Sequence, residues 1–259
     1  NAAFEIPNLM AGHSRWAQIK RQKAVTDAKR GQIFTKLGRE LTIASQHGGA
    51  DPSANFRLDQ AVAKAKAANM PKDRIERAIQ RGVGGNAEDR SLEEITYEGY
   101  ATDGAGLLIE VVTDNRNRSV AEIRTALNRL GGTLAESGSV AWQFANRGAI
   151  EVRADGVNPE DIELSAIDMG AVDVEHTDDF VHVYTEASEL ALIKTALENI
   201  GYSITTAELT MIPTAPMLMD DSQTSRIVGM VEQIEELDDV RRVHTNVEVS
   251  DTLLEHIDT

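Results

Sequence analysis

The chain has 259 residues and carries 26 Lys and Arg against 42 Asp and Glu, a net charge of −16. It has no cysteine, which excludes disulfides, thiolate metal sites and a cysteine nucleophile. Hydrophobic residues make up 41% and charged residues 26%, which fits a globular chain, and no apolar run reaches the ~18–20 residues of a membrane span.

Residues 1–9 read as a segment appended ahead of Met10, the expected start. They lack the charged and apolar regions of a signal peptide, and a cytoplasmic protein is expected.

Residues 10–82 read as a basic bundle of three to four helices. His13 to Lys29 has only a weak apolar stripe of Trp16, Ile19 and Val25, so it is either a helix or an arm that orders on binding. Ile33, Phe34, Leu37, Leu41 and Ala44 recur at helical spacing up to Gly48-Gly49. Asp51-Pro52 reads as a cap and first-turn proline for a second helix, with Leu58, Ala61, Val62, Ala65 and Ala68 inward. Pro71 opens a third, with Ile75, Ala78 and Ile79 inward.

Residues 83–94 read as a linker. Gly82, Gly84 and Gly85 offer a phosphate cradle as the sharper reading, but the preceding strand and the Lys-Ser/Thr of a P-loop are missing.

Beyond residue 94 the period changes. Ile95–Tyr100 and Gly106–Thr113 read as strands. Ser119 and Glu122 form a capping-box pattern, predicting a helix with Val120, Ile123, Leu127 and Leu130 inward. Val140, Trp142 and Phe144 alternate as one face of a strand. Residues 146–213 then read strand, helix, two strands, helix, strand, the ferredoxin-like signature. Residues 221–250 add a helix and a strand with Val243, Val247 and Val249. The expected fold is therefore α+β: the helical bundle, then two ferredoxin-like-type α/β sandwiches. Residues 95–145 and 214–250 form one of these, and 146–213 are inserted in it.

Charge is distributed unevenly. Residues 1–81 carry +8 and residues 82–259 carry −24. A basic head on an acidic body points to a polyanion, against the alternative of a solvated helical face. Lys20, Arg21, Lys23, Lys29, Arg30, Lys36 and Arg39 crowd the first segment. Arg57 and Lys64 share a face of the second helix, and Arg74, Arg77 and Arg81 a face of the third. These twelve are the candidate nucleic-acid contacts. Asn115, Arg116 and Arg118 lie in a loop ahead of Ser119 that could hold a phosphate or carboxylate, or serve simply as a turn.

The six His residues show no metal-ligand spacing. Asp173, Glu175, His176, Asp178 and Asp179 read as a solvated acidic turn rather than a cation site, because alternation splits them between faces. No nucleophile elbow or kinase motif occurs. A non-enzyme is expected, with no catalytic residue, metal, cofactor, small-molecule substrate or membrane partner.

Several motifs in order resemble the YebC/PmpR family. They are Met10–Lys20, Asp27–Leu37, Ala67–Asp73, Tyr97–Tyr100, Thr113–Arg118 and Gly138–Ala141, spanning Met10 to about residue 250. The resemblance implies a three-domain, non-enzymatic regulator. Family members include DNA-binding transcriptional regulators, a mitochondrial activator of translation of a cytochrome oxidase subunit, and bacterial relatives credited with easing ribosome stalling. It carries over Lys20, Lys29, Arg30, Lys36 and Arg39 as nucleic-acid contacts, and Asn115 and Arg116 as a functional loop. The expected partner is promoter DNA; the alternatives are ribosomal RNA on the ribosome and, more distantly, a protein-interaction scaffold.

Overall fold

The structure is a computed structural model describing residues 15–16, 27–84, 92–177, 179–250 and 252–253, of which 27–30 by backbone alone. Its contacts divide into two units. The head unit contains Ala24–Ala141 and Ser225–Thr245; the other contains the described residues 15–16, Trp142–Thr224 and the described residues after Thr245.

The head unit begins with three helices: α1 (Asp27–Gly48), α2 (Phe56–Ala67) and α3 (Lys72–Val83). Leu41, Ala44, Leu58, Ala61, Ala65, Ile75, Ala78 and Ile79 meet in their core, with Phe34 and Leu37 at its edge. The apolar stripes of the sequence are thus the packing faces. Helix α3 crosses α1 at backbone distance. A Cβ on Gly82 would stand 2.2 Å from the Thr42 carbonyl oxygen, so only glycine fits. At that crossing the hydroxyls of Thr42 and Ser45 donate to the carbonyls of Ala78 and Ile79 at 3.0 Å.

The helix joins differ from the sequence expectation at one end. Asp51 does not cap α2; its carboxylate binds the Ser53 N–H and hydroxyl within a turn. Asn55 is the cap. Its side-chain oxygen accepts from the Leu58 N–H at 3.1 Å, and its amide donates to the carbonyls of Ala44 and Gly49. One residue therefore starts α2 and satisfies the end of α1. Helix α2 stops at Asn69, whose φ of 58° lets the Asn69 and Met70 N–H groups return to Lys66 and Ala65. Pro71 follows as the α3 cap, so Ala67–Asp73 is a stop-and-restart device.

The remainder of the head is an antiparallel sheet of order β3-β1-β2-β8. Its strands are β1 (Glu93–Tyr100), β2 (Gly106–Thr113), β3 (Thr133–Leu134) and β8 (Val240–Thr245). Helices α4 (Arg116–Arg129) and α7 (Asp221–Glu235) accompany it. Ile123 and Leu127 of α4 and Ile227, Val231 and Ile234 of α7 are buried. Leu107, Ile109 and Val111 share the sheet face of Gly99, where Leu127 packs. The other face carries Glu94, Glu98 and Glu110, matched by register to Val112, Leu108 and Thr96.

Ser119 does not cap α4, which starts three residues earlier with Asn115 accepting from the Arg118 N–H. Val140, Trp142 and Phe144 do not share one strand face. Ala141–Gln143 form a 3₁₀ turn, Val140 is fully buried, and Trp142 is 71% exposed.

The second unit is ferredoxin-like, with β4 (Phe144–Arg153), α5 (Pro159–Asp168), β5 (Asp173–His176), β6 (Phe180–Glu186), α6 (Leu190–Asn199) and β7 (Ile204–Pro213). Its sheet order is β5-β6-β4-β7, all antiparallel. Ile150, Val152, Val181, Val183 and Ala207 face Ile162, Ala166, Ile193 and Leu197 of the two helices. The unit is inserted in chain order between β3 and β8 of the head. Val247 lies outside β8 and forms a parallel bridge with Met217, and Val249 also follows the last strand.

Candidate nucleic-acid interface

The sequence treats the head's cations as one population; in the fold they form two. The first points inward, to carboxylates and carbonyls of the same unit. Arg57 of α2 makes a two-pronged contact with Glu94 of β1, and Arg241 reaches the same carboxylate at 3.3 Å. His47 Nδ1 is 3.7 Å from it. The Arg57 hydrogen bonds outweigh burial and hold the Glu94 carboxyl below its ordinary pKa. Lys36 donates to the carbonyl of Glu235 at the C-terminus of α7, where backbone acceptors are unfilled. Arg39 bonds the Asp238 carbonyl and pairs with the Asp239 carboxylate at 2.8 Å.

Asp239 gathers four side chains from three elements. Its buried carboxylate accepts from Ser119 at 2.6 Å, Thr113 at 3.0 Å and Arg118 at 2.7 Å, besides pairing with Arg39. Burial alone would raise its pKa; these hydrogen bonds and the Arg39 charge prevail and lower it. The Asn115–Arg118 segment takes part in this network. Asn115 caps α4 and donates its N–H to the Thr113 hydroxyl. Arg118 is held by Asp114 and Asp239. Arg116 is exposed, 3.7 Å from Glu93. The loop is therefore a helix start joined to a buried carboxylate. Ser119 is drawn inward by Asp239, which is why it is unavailable as a cap.

The second population points outward. Arg74, Arg77 and Arg81 lie along the exposed side of α3, away from Ile75 and Ile79. Arg74 stands over the Phe34 ring of α1 at 5.8 Å, an arrangement that fixes the guanidinium without neutralising it. Arg77 pairs with Asp73 one turn back. Arg81 and Lys66 are exposed with no carboxylate within 4.0 Å among the described residues. Lys64 is half-buried on α2. Lys20, Arg21 and Lys23 lie outside the described residues, and Lys29 and Arg30 are placed on α1 by backbone alone.

Sequence reasoning missed Asp239, Glu94, Glu98, Lys66, Arg124 and Arg129. Glu98 explains two motifs together. Its buried carboxylate accepts the N–H groups of Gly138, Val140 and Ala141 at 2.6–2.8 Å. Burial would raise its pKa, but the three bonds win and lower it. Tyr100, two residues on, donates to the Ser139 carbonyl at 3.0 Å. Arg124 and Arg129 of α4 are exposed, again with no carboxylate within 4.0 Å among the described residues.

The acidic hairpin disperses its side chains. Glu175 accepts from the Tyr184 hydroxyl at 3.0 Å, and His176 lies 3.0 Å from Glu163. Burial raises the Asp173 carboxyl. Asp178 lies outside the described residues. No described helix is long and apolar enough to cross a membrane.

Fold and site together define a basic helical head built onto a split α/β sheet that carries an inserted ferredoxin-like unit. Residues 14–85 match the family model of the TACO1/YebC protein N-terminal domain, and residues 92–247 that of the TACO1/YebC second and third domain. The chain belongs to the TACO1/YebC family. A protein of Herpetosiphon aurantiacus named "Probable transcriptional regulatory protein" is 49% identical over 247 residues, 95% of this chain and 98% of that one. A relative of the same name from Roseiflexus castenholzii is 47% identical over 250 residues, covering 95% and 98%. The crystal structure of a conserved hypothetical protein from Aquifex aeolicus is similar, with a TM-score of 0.82 and 40% identity. That match covers 91% of this chain and 97% of that one.

Proposed function

We propose that the protein is a non-catalytic regulator of gene expression, a DNA-binding transcriptional regulator in the cytoplasm, whose helical head contacts nucleic-acid phosphates. One observation carries this reading: Arg74, Arg81 and Lys66 are exposed with no carboxylate within 4.0 Å among the described residues, in a chain of net charge −16. Carboxylates are plentiful in a protein this acidic, so cations left apart from them suit an external anion. The relatives' names agree with a regulatory role. Contact through phosphates positions the protein and makes binding strongly salt-dependent. Lys29 and Arg30, in the first turn of α1, are further candidate contacts, and Lys36, Arg39 and Arg57 would support the surface from behind.

The test is fluorescence anisotropy of the full chain with labelled duplex DNA and ribosomal RNA as competitor. Arg74→Glu with Arg81→Glu should weaken binding by about tenfold or more, as expected when two or more phosphate contacts are lost. Unchanged affinity in a folded variant would overturn the reading. Displacement of the DNA by a small excess of ribosomal RNA would move the target from promoter to ribosome.

A further inference from the structure

We infer that the outer face of α4 is a second nucleic-acid-backbone contact, separate from the α3 surface. The inference rests on the nucleic-acid reading above and extends it to a helix of the α/β sheet.

Helix α4 runs for 14 residues, about 21 Å. Its inner side is Ser119, Ile123, Ala126 and Leu127, all buried. By helical spacing the opposite side presents Asn117, Ala121, Arg124, Thr125 and Asn128, with Arg129 on its flank, and all six are exposed. Glu122 is the helix's one acidic residue, and it sits on the flank between Arg118 and Arg129.

Two features distinguish this face. The first is the isolation of its charges. In the ferredoxin-like unit every described Lys or Arg has a carboxylate nearby: Arg147 with Glu186 at 2.6 Å, Arg153 with Asp155 at 3.0 Å, Lys194 with Glu198 at 2.8 Å, and Arg15 with Glu248 at 3.4 Å. Arg124 and Arg129 have none within 4.0 Å among the described residues, a condition they share with Lys66, Arg74 and Arg81 of the helical bundle. The second is the chemistry between the charges. Asn, Thr and Ala separate the guanidiniums, and no large apolar side chain stands on the outer face. A protein partner needs aromatic or aliphatic anchors, which this face lacks. Arg, Asn and Thr are groups that bind phosphate and sugar oxygens, and nucleic-acid interfaces are more polar and more positive than protein ones. The Asp239 network holds the start of α4 against the sheet, so the face is rigid before it meets a ligand.

The experiment titrates the full chain against a labelled nucleic-acid duplex over a range of salt. It compares the wild type, Arg124→Ala with Arg129→Ala, and Arg74→Ala with Arg81→Ala; urea unfolding confirms that each variant is folded. The α4 variant should lower the log–log salt slope by about 1–2, at roughly 0.9 per lost phosphate contact, and Arg124→Lys with Arg129→Lys should restore it. If only the α3 variant changes the slope, the α4 inference is overturned and the head reading stands. If neither changes it, both fall. Equal binding to polyglutamate, lost in the same α4 variant, would overturn the assignment to nucleic acid.

Discussion

Arg57 and Arg74 belong to neighbouring helices of one small bundle, and their roles differ. Arg57 faces the sheet and is clasped by Glu94. Arg74 faces outward and rests on an aromatic ring. The same division separates Lys36 and Arg39, bound to the α7–β8 turn, from Arg81 and Lys66. Part of the charge of a basic head can thus join it to an acidic sheet while the rest stays exposed. Net charge counts both sets; only geometry tells them apart.

The largest expected effect concerns the inner set. Asp239→Ala leaves the Arg118, Ser119 and Thr113 donors of a buried site without their acceptor. It should cost about 3 kcal/mol or more in urea denaturation, in line with breaking a buried ionic network. A loss below about 1 kcal/mol would mean that the inner cations are not structural.

Acid should have the next largest effect. Glu94, Glu98 and Asp239 have lowered pKa values, and Glu110 falls from 4.5 to about 2. For Glu110 burial opposes the shift, and the His244 hydrogen bond and the charges of His244, Arg241 and Arg242 overcome it. A depressed folded-state pKa stabilises above the unfolded value, and that stability is lost as pH falls through the folded one. Denaturation midpoints should therefore hold near pH 5 and drop steadily toward pH 2. Glu110→Gln should flatten the lower part of that fall.

The smallest stability effect should come from the half-exposed Arg57–Glu94 pair, where Arg57→Ala is expected to cost about 1 kcal/mol or less.

The helical stripes were legible in the sequence because Leu41, Leu58, Ile75 and their neighbours repeat at the helical period. The ferredoxin-like unit was legible because its strands and helices are short, distinct and complete within one stretch. The start of α4 was not. A Ser-x-x-Glu pattern at 119–122 satisfies the local rule, and the deciding partner, Asp239, lies 120 residues away. The division of the cations was hidden for the same reason. Arg57 meets a carboxylate 37 residues on, and Arg39 a carbonyl 199 residues on. Helical spacing can say that Arg74, Arg77 and Arg81 share a side; it cannot say which cations the sheet will claim.

The most direct measurement is the salt dependence of duplex binding for two full-length variants side by side. Arg57→Ala should keep the wild-type log–log slope, because that cation is already neutralised within the fold. Arg74→Ala with Arg81→Ala should lower it by about 1–2, at roughly 0.9 per phosphate. Equal slopes for the two variants, or a larger loss from Arg57→Ala, would contradict the division between inner and outer cations.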